Sequence, residues 1–99
     1  MVNKMNLEKH IDAGTAVYQA TYNKLDKWQR GKAAEGEQVK QNSFRLTQKA
    51  ASEENDAFVA KYNGLLEAII SEHKTELEKV KAAYLQEVED FYRPDGDAI

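Results

Sequence analysis

Between residues 65 and 92 the apolar positions Leu66, Ile70, Leu77, Val80, Tyr84, Val88 and Phe91 recur at steps of three, four or their sums, with His73 filling the one gap in the stripe. That period predicts a helix with one face packed against other helices and a charged face in water. A second helix is predicted over 6–32, where Leu7, Ile11, Tyr18, Tyr22 and Leu25 supply the stripe and Ala13, Ala16 and Ala20 add helix propensity. Asn6 precedes this run as an imperfect cap, because the third residue after it is Lys9 rather than Glu or Gln. From Glu37 the apolar pattern resumes through Val39, Leu46, Ala50 and Phe58, predicting a third helix over 37–62.

The breaks between these segments decide the topology. Gly31 and Gly36 bracket KAAE and read as a turn, and Asn63-Gly64 reads as a second one. Ser52, followed by three acids within four residues, reads as a helix cap within the middle region. Three segments of nearly equal length favour an all-α three-helix bundle. The alternative keeps 37–92 as one helix, roughly 84 Å long at 1.5 Å per residue. The chain would then be a long two-helix hairpin forming an antiparallel helical dimer, because the seam through Phe58, Tyr62, Leu65, Leu66, Ile69 and Ile70 would be only partly covered by the first helix. Pro94 ends the last helix near Tyr92 or Arg93, leaving a short acidic tail over 94–99.

Ninety-nine residues suffice for one small domain. One Pro, five Gly and abundant Ala, Leu, Glu, Lys and Gln agree with an all-helical chain. No run approaches the roughly 18 apolar residues of a membrane span, the first residues lack the apolar run of a signal peptide, and there is no Cys. The expected setting is cytoplasmic. The net charge of −3 conceals an asymmetry. Residues 24–49 carry Lys24, Lys27, Arg30, Lys32, Lys40, Arg45 and Lys49 against Asp26, Glu35 and Glu37, whereas 64–99 carry nine acids against Lys74, Lys79, Lys81 and Arg93. Opposed fields of this kind favour packing of the two regions, or antiparallel pairing of two copies.

Candidate chemistry is thin. His10 and His73 are the only imidazoles, and a metal site on His73 and Glu76 would need ligands from another segment. Gly31-Lys32 lacks the ordered glycines and Lys-Ser/Thr pair of a phosphate loop, and the scattered Ser, His and acidic residues define no catalytic triad. We expect no enzyme activity, no cofactor and no small-molecule substrate. Nucleic acid is not expected as a partner, because the basic stretch sits in an otherwise acidic chain. The candidate protein-binding residues are Trp28 with Arg30 and Lys32, and Tyr84, Val88, Phe91 and Tyr92, two aromatic groups able to anchor a partner or to meet at one end of a bundle.

Trp28-Gln29-Arg30-Gly31, together with the length and a hairpin-compatible pattern, loosely resembles the small secreted WXG-type helical proteins. That family has Trp-x-Gly, and an acid four places after its tyrosine where this chain has Val88 after Tyr84. Both departures fall on the motifs that would carry the likeness, so no residue role is transferred. The function expected is that of a small helical interaction module, an adaptor, chaperone-like partner or stoichiometric inhibitor; the alternative is a self-associating structural coiled-coil protein without catalytic activity.

Overall fold

The computed structural model describes residues 6–93 and contains two helices, α1 (Leu7–Ser43) and α2 (Gln48–Tyr92), folded back on each other as an antiparallel hairpin. Its radius of gyration of 23.0 Å and extents of 78 × 21 × 7 Å are those of a rod. A compact domain of about 100 residues would have a radius near 13 Å. The three-helix bundle is therefore corrected to a long hairpin. The acidic tail lies outside the described residues.

The turn sits where neither Gly nor Pro marks it. At the end of α1 the Ser43 hydroxyl donates to the Lys40 carbonyl at 2.6 Å. The amides of Phe44, Arg45 and Leu46 then bond three residues back, to Gln41, Asn42 and Ser43, tightening the last turn so that its carbonyls stay satisfied. Thr47, in extended geometry, starts α2, its hydroxyl accepting from the Ala50 amide at 3.2 Å. Ser52, read as a cap, is inside α2. At the other end Asn6 caps α1, accepting from the Lys9 amide at 3.0 Å.

Gly31 and Gly36 are helical and serve close approach rather than a turn. A Cβ on Gly31 would meet the Tyr62 hydroxyl at 3.4 Å, and one on Gly36 would meet the Phe58 ring at 3.1 Å. The two α2 rings therefore lie directly over bare α1 backbone. Asn63-Gly64 also stays helical. A helix-interior Gly costs about 1 kcal/mol; on the seam face it is flanked by the buried Tyr62 and the half-buried Leu66.

The seam follows heptad spacing. His10, Val17, Lys24 and Gly31 are seven residues apart on α1, interleaved with Thr21, Trp28 and Glu35; Tyr62, Leu66, Ile69, His73, Glu76, Val80 and Glu87 face them from α2. Cross-pairs fix the register: His10 with Glu87, Thr21 with His73 at 2.6 Å, Trp28 with Tyr62, Glu35 with Lys61 at 2.7 Å and Asn42 with Glu54 at 3.5 Å. Much of this seam is small or polar. Among the described residues only Tyr62 (7% exposed) and His10 (8%) are buried. A single hairpin has a seam but no enclosed core.

Candidate functional site

The bulky residues that the α1 stripe predicted for the interior lie beside the seam instead. Ile11 and Tyr22 are each 66% exposed, and Leu7, Tyr18 and Leu25 are exposed as well. They stand outside because over residues 10–24 the heptad positions of the seam are taken by His10, Val17, Thr21 and Lys24, which leaves the leucine, isoleucine and tyrosine side chains of this stretch on the flank. Ile11, Tyr18 and Leu25 succeed one another at seven-residue steps, as do Ile70, Leu77 and Tyr84 on α2. The two flanking rows run side by side on one face of the hairpin.

Two open grooves lie end to end between them. One, of about 630 Å³, has walls of Tyr18, Tyr22 and Leu25 from α1 and Ile69, Ile70 and Lys74 from α2. The other, of about 470 Å³, is walled by Leu7 and Ile11 against Leu77, Val80, Lys81 and Tyr84. No carboxylate lines either groove. The other side of the hairpin is small and charged across residues 16–24 and 72–76, with Ala16 and Ala20 beside the Lys24–Glu72 ion pair at 2.5 Å.

Electrostatic pairing secures the seam at its open end and near its middle. Glu87 accepts the Asn6 backbone N–H at 3.1 Å and pairs with His10. The Asn6 amide first, and the His10 bond next, hold its carboxyl below the ordinary carboxylate range. Lys61 donates to Glu35, and that bond keeps its ammonium above the usual lysine value. The His10 and His73 rings are each met edge-on, by Tyr84 at 5.5 Å and Tyr18 at 5.0 Å. Glu76 bonds Lys79 rather than His73, and no cluster of three or more His, Cys, Asp or Glu able to hold a metal occurs among the described residues.

The sequence-predicted site residues fall into two separate groups. Trp28 is half-buried in the seam, donating its indole N–H to the Tyr62 carbonyl at 2.8 Å, with the Lys32 ammonium 5.0 Å from its ring centre. Arg30 points outward and pairs with Asp26 at 3.1 Å. Tyr84 borders the second groove, Val88 is half-buried, and Phe91 meets Tyr92 edge-on at 5.0 Å. Tyr84 lies 22 residues along α2 from Tyr62, about 33 Å, so the packing of this aromatic group beside Trp28 expected at one bundle end does not occur. Sequence reasoning noticed Ile11, Tyr18, Tyr22 and Leu25 but assigned them to the interior. The signal that places them outside is the parallel row of small and polar residues at heptad spacing beside them.

No helix among the described residues is long and apolar enough to cross a membrane. No family model, curated protein or solved structure matches the chain. The chain is a small all-helical domain with extensive contacts between its two helices.

Proposed function

We propose that this protein is a self-associating helical module whose hairpins pack through the face bearing Ile11, Tyr18, Tyr22, Leu25, Ile70 and Tyr84. One observation carries the reading: a row of large apolar side chains, exposed except for the half-buried Leu77, on one side of a hairpin whose other side is small and charged across residues 16–24 and 72–76. A single copy leaves 8132 Å² accessible, against about 5,700 Å² for a compact monomer of its mass. Covering that face would supply the interior that two helices alone lack. The reading needs no cofactor and gives the chain no catalytic role.

Light-scattering chromatography from low micromolar to millimolar concentration tests it. The expected result is a concentration-dependent oligomer, with Tyr22→Glu and Ile70→Glu returning it to a folded, helical monomer. A wild-type monomer throughout the range would overturn it. The adaptor or inhibitor reading keeps one specific support, Phe44 at the hairpin tip, 83% exposed beside Arg45. It predicts that Phe44→Ser abolishes capture of a heterologous partner while the oligomer survives.

A further inference from the structure

Taking self-association as its starting point, we infer that the occupant of the apolar face is one second copy of this chain, stacked face to face with both hairpin tips at the same end, so that α1 of each copy lies on α2 of the other. A symmetric dimer must present the same surface twice. Two stackings of flat hairpins satisfy that condition. With the two-fold axis along the helices the tips coincide and α1 meets the partner's α2; with the axis across the helices the tips point apart, α1 meets α1 and α2 meets α2.

Charge separates the two. Lys74 and Lys81 stand seven residues apart on the α2 side of the grooves, with no carboxylate lining either groove. An axis across the helices through the centre of the apolar rows brings Lys74 of one copy opposite Lys81 of the other, a like-charge contact on each side of the axis. An axis along the helices carries both ammoniums over the partner's α1, where exposed tyrosine rings on the row offer a cation–π face. The tip halves add a larger effect. Residues 24–49 hold seven basic and three acidic side chains, while 50–73 hold Glu53, Glu54, Asp56, Glu67 and Glu72 against Lys61 alone. With tips together each basic α1 half lies at the level of the partner's acidic α2 half. With tips apart both halves overhang into water and that attraction is lost.

Area agrees. The rows from Leu7 to Leu25 run about 27 Å across a face about 20 Å wide, roughly 540 Å² of flat footprint. That is short of the ~800 Å² per partner of a stable interface. Overlap along the whole hairpin with the apolar rows still on each other, which only the tips-together stacking provides, roughly doubles it.

The chain has no cysteine, so a single nitroxide can be placed by Gln48→Cys at the tip and, in a second protein, by Asp90→Cys near the other end, both exposed positions. Dipolar EPR distances are read on samples whose mass is measured in parallel. Tips together gives a dimer with both label pairs within about 35 Å. Tips apart gives a dimer with the Gln48→Cys labels about 87 Å apart, beyond the range of a resolved dipolar modulation; this overturns the arrangement and leaves self-association standing. A monomer overturns both, and a mass above the dimer overturns the single-partner assignment. Lys74→Glu with Lys81→Glu gives a second reading: tips-apart stacking keeps a like-charge contact and is unchanged, whereas tips-together stacking loses the cation–π contacts and weakens several-fold.

Discussion

The indole N–H of Trp28 on α1 donates to the main-chain carbonyl of Tyr62 on α2 at 2.8 Å, joining the helices midway along the seam. Trp28→Phe keeps most of the ring and removes the donor. A hydrogen bond of this kind contributes about 1 kcal/mol, and in a chain of this length each kcal/mol moves Tm by about 4–8 °C. A loss near that size is expected in thermal unfolding followed by circular dichroism, and an unchanged Tm would refute the contribution of the bond.

Glycine substitutions separate close approach from mere helicity. Gly14 and Gly64 have nothing within 4 Å of an added Cβ, so Gly14→Ala and Gly64→Ala should each stabilise by about 0.5–1 kcal/mol. Gly36→Ala gains the same propensity but presses on the Phe58 ring at 3.1 Å. It should fall clearly below the other two in a urea unfolding series, and equal gains in all three would contradict the packing of Phe58 on α1.

The position of the turn can be read from caps. Thr47→Ala removes the acceptor for the Ala50 amide and should cost about 1 kcal/mol. Ser52→Ala lies within α2 on an exposed position and should change stability by less than about 0.5 kcal/mol. The reverse order in a chemical denaturation series would place the helix start at Ser52.

Acid stability should carry the mark of Glu87. Its carboxyl titrates below the ordinary 4.5, because the Asn6 amide and His10 favour the charged form. A group whose folded pKa is depressed stabilises the fold above its unfolded value and loses that contribution as pH falls through the folded one. The wild type should therefore lose more Tm than Glu87→Gln between about pH 6 and about pH 3. Lys61, raised above its ordinary 10.5 by Glu35, acts in the opposite sense. Its contribution is full below 10.5 and fades as pH rises through the folded value, so Lys61→Met should flatten the alkaline limb.

The helical class was legible because long stretches keep a clean three-four period, and the end of α2 at Tyr92 was legible from Pro94. The turn was not. Phe44-Arg45-Leu46-Thr47 carries no glycine or proline, whereas Gly31, Gly36 and Asn63-Gly64 carry strong breaker signals that packing overrides. The flank was misread for a related reason. A stripe of Leu7, Ile11, Tyr18, Tyr22 and Leu25 reads as interior when the largest side chains are assumed to face inward, yet here the smaller neighbouring row of Val17, Thr21 and Gly31 lets the helices approach.

The register of the cross-pairs also orders how the chain comes together and apart. Asn42 and Glu54 are 12 residues apart in sequence, while His10 and Glu87 are 77 apart. Closing the short loop first brings the next pair within reach at little added entropy, and each later pair repeats the step, so the molecule is a zipper with its slider at Thr47. Tension applied at the two ends would meet the Asn6 and His10 bonds to Glu87 first, then Thr21–His73, then Lys24–Glu72, then Trp28–Tyr62. A hairpin pulled open at its two ends, which lie side by side, resists across its length by whichever contact stands at the fork, never by the sum of them.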